Sequence, residues 1–259
     1  MKQAGSAEDK PRLRASVIKA SIDALTWDDA IGRISSWATR RESRYVCITN
    51  AHSVVTGWRD KYFGEILEEA DLVTPDGAPV AWMLRRLGYR DQERINGPDL
   101  MWRYCEYAAA NDQTIYLYGG SQETLSQLQA MLAERVPKLR IAGAYSPPFR
   151  PLTPQEDSAA VQLINDSGAG TVWVSLGCPN QERWMAEHRG RVQAVMIGVG
   201  AAFDYHAGMI QRAPQWMQQS GLEWLHRLFS EPRRLWKRYL VTNTLFVIGA
   251  GIQLMRRTK

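Results

Sequence analysis

Thr171-Val172-Trp173-Val174-Ser175-Leu176-Gly177-Cys178-Pro179-Asn180-Gln181-Glu182-Arg183-Trp184-Met185 is an apolar, β-prone run that breaks into a Gly/Pro/Asn turn and restarts with helical spacing. The pattern reads as a strand feeding a helix across a tight turn. Working outward, the same grammar recurs. Strands are expected at Tyr45–Thr49, Leu72–Thr74, Thr114–Tyr118, Arg140–Ala144, Thr171–Leu176 and Val195–Val199. Helical spacing fills 26–41, 60–70, 78–88, 98–111, 121–135, 154–167 and 180–189, the sixth capped by Thr153. Strands separated by helices predict an α/β fold: a Rossmann-like, mainly parallel sheet with flanking helices.

Nearly every strand ends in turn chemistry: Asn50 after the first, Pro75-Asp76-Gly77 after the second, Gly119-Gly120-Ser121 after the third. In open parallel sheets ligands sit beyond the carboxyl ends of the strands, so these turns should line one crevice. Asp76 reads either as a turn or capping residue or as a general base at a strand's end. The Gly177–Gln181 turn, with Pro179 inside it, offers backbone N–H groups to an anion at a helix start. Gln181 can bond a nucleotide or sugar, whereas Glu182 reads as a residue that stabilises the helix start. Gly119-Gly120 is a second phosphate-sized cradle. Arg94, just before a turn and helix, reads as a phosphate partner or a surface charge.

Apolar residues make up 45% of the 259, enough for one large α/β domain or a domain with an appendage. The net charge of +5 is placed unevenly. Residues 222–259 contain Arg227, Arg233, Arg234, Lys237, Arg238, Arg256, Arg257 and Lys259 against only Glu223 and Glu231, so the rest of the chain is close to neutral. A nucleic-acid binder more often spreads its basic face over the fold, and no nucleic-acid partner is expected. Within the tail, Leu222–Phe229 and Leu235–Leu240 are amphipathic, with Trp224 and Trp236 beside the basic cluster. Leu240–Met255 is apolar but interrupted by Thr242, Asn243, Thr244 and Gln253, short of the roughly 20 residues of a spanning helix. It reads as an interfacial helix on an anionic membrane surface, with core packing or pairing between subunits as alternatives. The expected division is a mobile arm over 1–15, a catalytic domain over 16–211 and a basic amphipathic appendage over 212–259. Cys47, Cys105 and Cys178 form no CxxC pair, and the start has no apolar leader, so a reduced cytoplasmic setting is the default.

Several signatures are absent: GxxxxGK[ST], GxSxG, HExxH and a DxD triplet. His52, His188, His206 and His226 lack metal-ligand spacing, and no metal is expected. Gly198-Val199-Gly200-Ala201-Ala202-Phe203 lacks the third Gly of a dinucleotide fingerprint and comes late in the chain.

Taken together, the segments resemble the WecG/TagA/CpsF glycosyltransferase family over roughly residues 45–240. The marks are Thr49-Asn50, Asp71–Gly77, Arg94-x-x-Gly97-x-Asp99-Leu100, Tyr118-Gly119-Gly120, Gly177-x-Pro179-x-Gln181-Glu182-x-Trp184-Met185 and Gly198–Tyr205. The tail adds Arg212-Ala213-Pro214-x-Trp216, Gly221–Leu225 and Glu231-Pro232-x-Arg234-Leu235. Phe203-Asp204-Tyr205 stands where Phe-Asp-Phe is common. The resemblance implies an inverting enzyme with no cofactor and no essential metal. It would use a UDP-sugar donor and a polyprenyl-diphosphate-linked acceptor, peripherally on the cytoplasmic face of the inner membrane. It further implies Asp76 as the base, and Thr49 and Asn50 as positioning residues. Gly119, Gly120 and the Gly177–Gln181 turn would supply amides to the diphosphate, Asp204 a nucleoside contact, and Arg94, Arg227, Arg234 and Arg238 charge neutralisation. The competing readings are an NAD(P)-linked oxidoreductase and a non-catalytic membrane-associated nucleotide-sugar-binding module.

Overall fold

A computed structural model describes residues 11–257. The chain opens with an antiparallel hairpin, β1 (Arg14–Val17) and β2 (Ala20–Asp23), then α1 (Trp27–Thr39). The main sheet follows: β3 (Arg44–Thr49), α2 (Ala51–Arg59), α3 (Lys61–Glu69), β4 (Leu72–Pro75), α4 (Ala78–Arg86), α5 (Gly97–Ala110), β5 (Thr114–Gly119), α6 (Gln122–Arg135) and β6 (Arg140–Tyr145). It continues through α7 (Pro154–Asp166), β7 (Thr171–Ser175), α8 (Asn180–Glu187), β8 (Val195–Gly198) and α9 (Ala202–His206). Three helices close the chain: α10 (Gln215–Gln219), α11 (Glu223–Ser230) and α12 (Pro232–Arg257).

The expected α/β fold is present. Six strands pair in the order β4-β3-β8-β7-β5-β6, every pair parallel. Strand alternation divides the core in two. Tyr45, Cys47, Val73, Tyr118, Val172 and Met196 face one side, with apolar residues of α2, α3, α4, α7, α8 and α12. Val46, Ile48, Leu117, Trp173, Val195 and Ile197 face the other, with α1, α5, α6 and α9. Burial on both faces is what a parallel sheet requires. The segments that leave β3, β8, β7 and β5 go to alternate faces, which opens a crevice at the strands' carboxyl ends.

Local chemistry fixes the helix starts. Thr26 with Asp29, and Thr153 with Glu156, form capping boxes on α1 and α7. Asp60 ends α2 and caps α3 by accepting the Phe63 N–H. The helix Ala51–Arg59 and the β1–β2 hairpin lie outside the elements read from the sequence.

The expected arm over 1–15 meets the fold before it ends. Residues 1–10 lie outside the described residues, but Arg12 grips the buried Asp23 at 2.9 and 2.6 Å, and β1 begins at Arg14. The hairpin turn carries Ile18 and Lys19 at φ +48° and +69°. Helix α12 holds that turn: Gln253 Oε1 accepts the Ile18 N–H at 2.9 Å, and Gln253 Nε2 donates to the Ser16 carbonyl at 2.6 Å. Gly249 lets the helix approach, since a Cβ there would lie 2.9 Å from Ile18 Cγ2. Phe246 and Ala250 complete the seam, so the far end of the tail packs as core while Trp236, Leu240 and Met255 stay exposed. Among the described residues, no helix is long and apolar enough to cross a membrane.

Candidate active site

A cleft of about 1990 Å³ lies over the carboxyl ends of β3, β4, β5, β7 and β8, with α11 and α12 forming one wall. A pocket for a single small ligand is typically about 300–1,000 Å³, so there is room here for two substrates.

Asp76 is placed by the β4–α4 turn. Its N–H extends the sheet by bonding the Thr49 carbonyl at 2.9 Å, and Gly77, at φ +81°, turns the chain into α4. Burial pushes the Asp76 carboxyl above the usual aspartate range. Arg94 opposes that shift and Glu223 adds to it, while hydrogen bonds from the Gly77 N–H and the Asn50 side chain favour the ionised form. Asn50 is set for this by its own helix. Its Oδ1 caps α2, accepting the His52 and Ser53 N–H groups at 3.0 and 3.2 Å, which leaves its NH₂ group to face Asp76.

Arg227, Arg234 and Arg238 reach the same cleft from α11 and α12. Glu231 lies 3.7 Å from Arg227 and 2.7 Å from Arg234. Arg238 has no ion-pair partner among the described residues, and burial with two neighbouring guanidinium groups lowers its pKa. Burial also holds the nearby His52 at a pKa of about 4, with Arg238 adding to the shift, so that imidazole is neutral at pH 7. Asp204 borders the basic cluster, accepting from Thr124 Oγ1 at 3.4 Å. Its pKa is raised by burial against the pull of Thr124, Arg234 and Arg227.

Gln181 and Glu182 close the β7–α8 side, 4% and 1% exposed. Gln181 Nε2 donates to Glu182 Oε1 at 3.0 Å and the Cys178 thiol also reaches the Glu182 carboxyl, leaving Gln181 Oε1 buried without a protein partner at the cleft. Buried acceptors left unmade are costly, which marks a place for ligand contact. Burial raises the Glu182 pKa.

Several expected residues stand elsewhere. Thr49 is fully buried, and its side chain does not line the cleft. Gly119 is required by packing, since a Cβ there would lie 2.4 Å from the Ser175 carbonyl oxygen. Pro179 precedes α8 behind the cleft lining. Two of the amides expected to cradle a diphosphate are already used: Gly120 N–H bonds the Ser175 carbonyl at 3.0 Å, and Gln181 N–H the Gly177 carbonyl at 2.9 Å. Sheet and helix bonding continue through these turns and consume the donors. Arg94 lines the cleft but pairs with Glu223 at 2.9 Å, tying α11 to the body. Arg212 makes a second tie, 2.5 Å from Asp99. Sequence reasoning gave Glu223, Asp99 and Arg212 no role; the alternating charges along Arg94, Asp99, Arg212 and Glu223 are the signal in retrospect. No group of three or more His, Cys, Asp or Glu side chains suited to a metal occurs among the described residues.

Comparison with known proteins adds relatives. A Bacillus subtilis (strain 168) protein named N-acetylglucosaminyldiphosphoundecaprenol N-acetyl-beta-D-mannosaminyltransferase is 32% identical over 183 residues, covering 70% of this chain and 69% of that protein. A Bacillus spizizenii protein of the same name is 27% identical over 207 residues, covering 80% and 78%. Residues 15–259 match the glycosyl transferase WecG/TagA/CpsF family, and with the cleft geometry above, the chain belongs to that family.

Proposed function

We propose that this enzyme is an inverting, metal-independent glycosyltransferase that moves a sugar from a UDP-sugar to a polyprenyl-diphosphate-linked saccharide. The observation that carries the reading is the sharing of one cleft by the Asp76 carboxyl, poised by Asn50, and the guanidinium groups of Arg227, Arg234 and Arg238. The relatives' names make N-acetylglucosaminyl-diphosphoundecaprenol and an N-acetylmannosaminyl donor the first pair to assay.

In this mechanism the acceptor hydroxyl oxygen attacks the anomeric carbon from the face opposite the diphosphate. Its O–H proton passes to the Asp76 carboxylate. The new oxygen–carbon bond forms as the bond to the phosphate oxygen breaks, and UDP leaves with that electron pair. Attack from the opposite face inverts the anomeric centre. The raised pKa of Asp76 strengthens it as a base. The arginines of α11 and α12 neutralise the diphosphate charges, preorganised in a partly desolvated wall. Gln181 bonds sugar or nucleotide, and Asp204 lies where a nucleoside hydroxyl can reach it.

The exposed Trp236 and Leu240, beside Arg233 and Lys237, and Met255, beside Arg256, suit peripheral docking on the anionic cytoplasmic leaflet. A second copy of the chain covering the same face would instead give a vesicle-independent dimer.

Removing a positioned base costs about 10²–10⁴-fold in rate. Asp76→Asn should therefore keep UDP binding and lose turnover by that factor, with wild-type turnover unchanged by chelator. Near-normal turnover in Asp76→Asn removes it from the base role.

A further inference from the structure

The cleft does not stop at Asp76. Between α4 and α12 its lining turns apolar, with Pro79 and Trp82 on one side and Val247, Ala250 and Gly251 on the other. The groove is closed at one end by the α10–α11 turn against α4 and at the other by α12 against α4. Gly221 sits so close to α4 that a Cβ would lie 2.7 Å from Ala78 Cβ, and Arg257 Nη1 donates to the Arg86 carbonyl at 3.3 Å. Between these ends the lining stays open: Trp82 is 44% exposed, Val247 69%, and a Cβ on Gly251 would meet nothing within 4 Å.

Along α12 the chemistry of the wall changes in one direction. Arg234 and Arg238 stand at the near end, Val247 and Gly251 at the far end. A ligand matching both ends has a doubly charged phosphate head continuous with a long hydrocarbon chain. Free nucleotides and sugars lack the chain, and ordinary membrane lipids place no diphosphate at the base.

We infer that the groove between α4 and α12 seats the first isoprene units of the acceptor's polyprenyl tail. This rests on the glycosyl-transfer reading above. The seat holds the lipid diphosphate against the α12 arginines and carries the attached sugar to Asp76, so α12 recognises both halves of one substrate. The open position at Gly251 makes the seat blockable from within the helix. A larger side chain there fills the groove and favours the helix over glycine.

The test measures binding of two probes to the full chain in detergent: a long-chain polyprenyl diphosphate and a diphosphate carrying one isoprene unit. The wild type should bind the long chain at least about tenfold more tightly, the worth of roughly two buried methylenes. Gly251→Phe should erase that preference and leave the short probe's affinity unchanged. Trp82→Ser, on the opposite wall, should reduce the preference in the same sense. Retention of the full preference in both variants would overturn the inference. So would equal weakening of both probes by both variants, or displacement of the long probe by phosphatidylglycerol micelles at matched concentration. Turnover of the UDP-sugar is read separately. A chain-length preference that Gly251→Phe abolishes, in a wild type that transfers no sugar, would uphold the groove and refute the enzymatic reading.

Discussion

Asn50 has two partners on opposite sides, and substitution can separate them. Its Oδ1 caps α2 through the His52 and Ser53 N–H groups, and its side chain hydrogen-bonds the Asp76 carboxyl. Asn50→Asp keeps a good cap, because aspartate serves that position as well as asparagine. It also replaces a donor beside Asp76 with a second negative charge. The cap itself is kept in Asn50→Asp, so its loss of stability at neutral pH should come from repulsion with Asp76 and be relieved as pH falls, whereas Asn50→Ala should lose about 1 kcal/mol from the cap. The chemistry should behave differently. A hydrogen bond to a charged group is worth about 1.5–3 kcal/mol, or about ten- to a hundredfold in the fraction of ionised Asp76 on the acidic limb. Removing that donor raises the Asp76 pKa further. The acidic limb of the kcat/KM profile should move to higher pH in Asn50→Ala, and further still in Asn50→Asp. Urea unfolding and UDP release across pH give both quantities. A wild-type pH profile in Asn50→Asp would show that Asn50 does not tune Asp76 and would refute the reasoning.

Three more expectations follow from the geometry. Asp23 is 2% exposed and accepts from Arg12 and, at 2.7 Å, from the Val73 N–H; Asp23→Ala should lose about 3–5 kcal/mol in denaturant unfolding by stranding these donors. Glu182 has a folded pKa raised by burial, so the wild type should lose stability as pH rises from the ordinary glutamate range through that pKa; Glu182→Gln should lack this loss, and equal urea profiles of the two proteins between about pH 4 and pH 7 would remove the effect. Deleting residues 222–259 should weaken vesicle sedimentation and turnover together, and a truncated protein that still sediments would count against docking by the tail.

Five of the six sheet strands were legible because each is a largely buried, β-prone run that ends at or beside Gly, Pro or Asn; the half-buried edge strand β6 was legible from its apolar residues between Arg140 and the Pro-rich loop. The α2 helix was not. Val54, Val55, Thr56 and Gly57 disfavour a helix, and its packing decides otherwise: α2 and α3 cross so closely that a Cβ at Gly64 would lie 2.8 Å from the Gly57 carbonyl oxygen. The hairpin was hidden because its turn lacks the Asn-Gly signature that positive φ normally demands. At the site, position along the chain was enough to bring Asp76, Gln181 and the tail arginines to one cleft, since strand ends and a basic cluster are visible locally. Thr49, Gly119 and Pro179 lie off the cleft lining, and the sequence could not show it: adjacency to a turn does not reveal whether a residue faces the cleft or the neighbouring strand.

The Ile18–Lys19 turn links the beginning of the described chain to its last helix. Two non-glycine residues in left-handed conformation store about 1–3 kcal/mol each, and Gln253 is among the groups that hold them there. Lifting α12 would therefore relax a spring some distance from the chemistry. Hydrogen exchange at the Ile18 amide becomes a remote gauge of whether the tail is seated, readable without substrate.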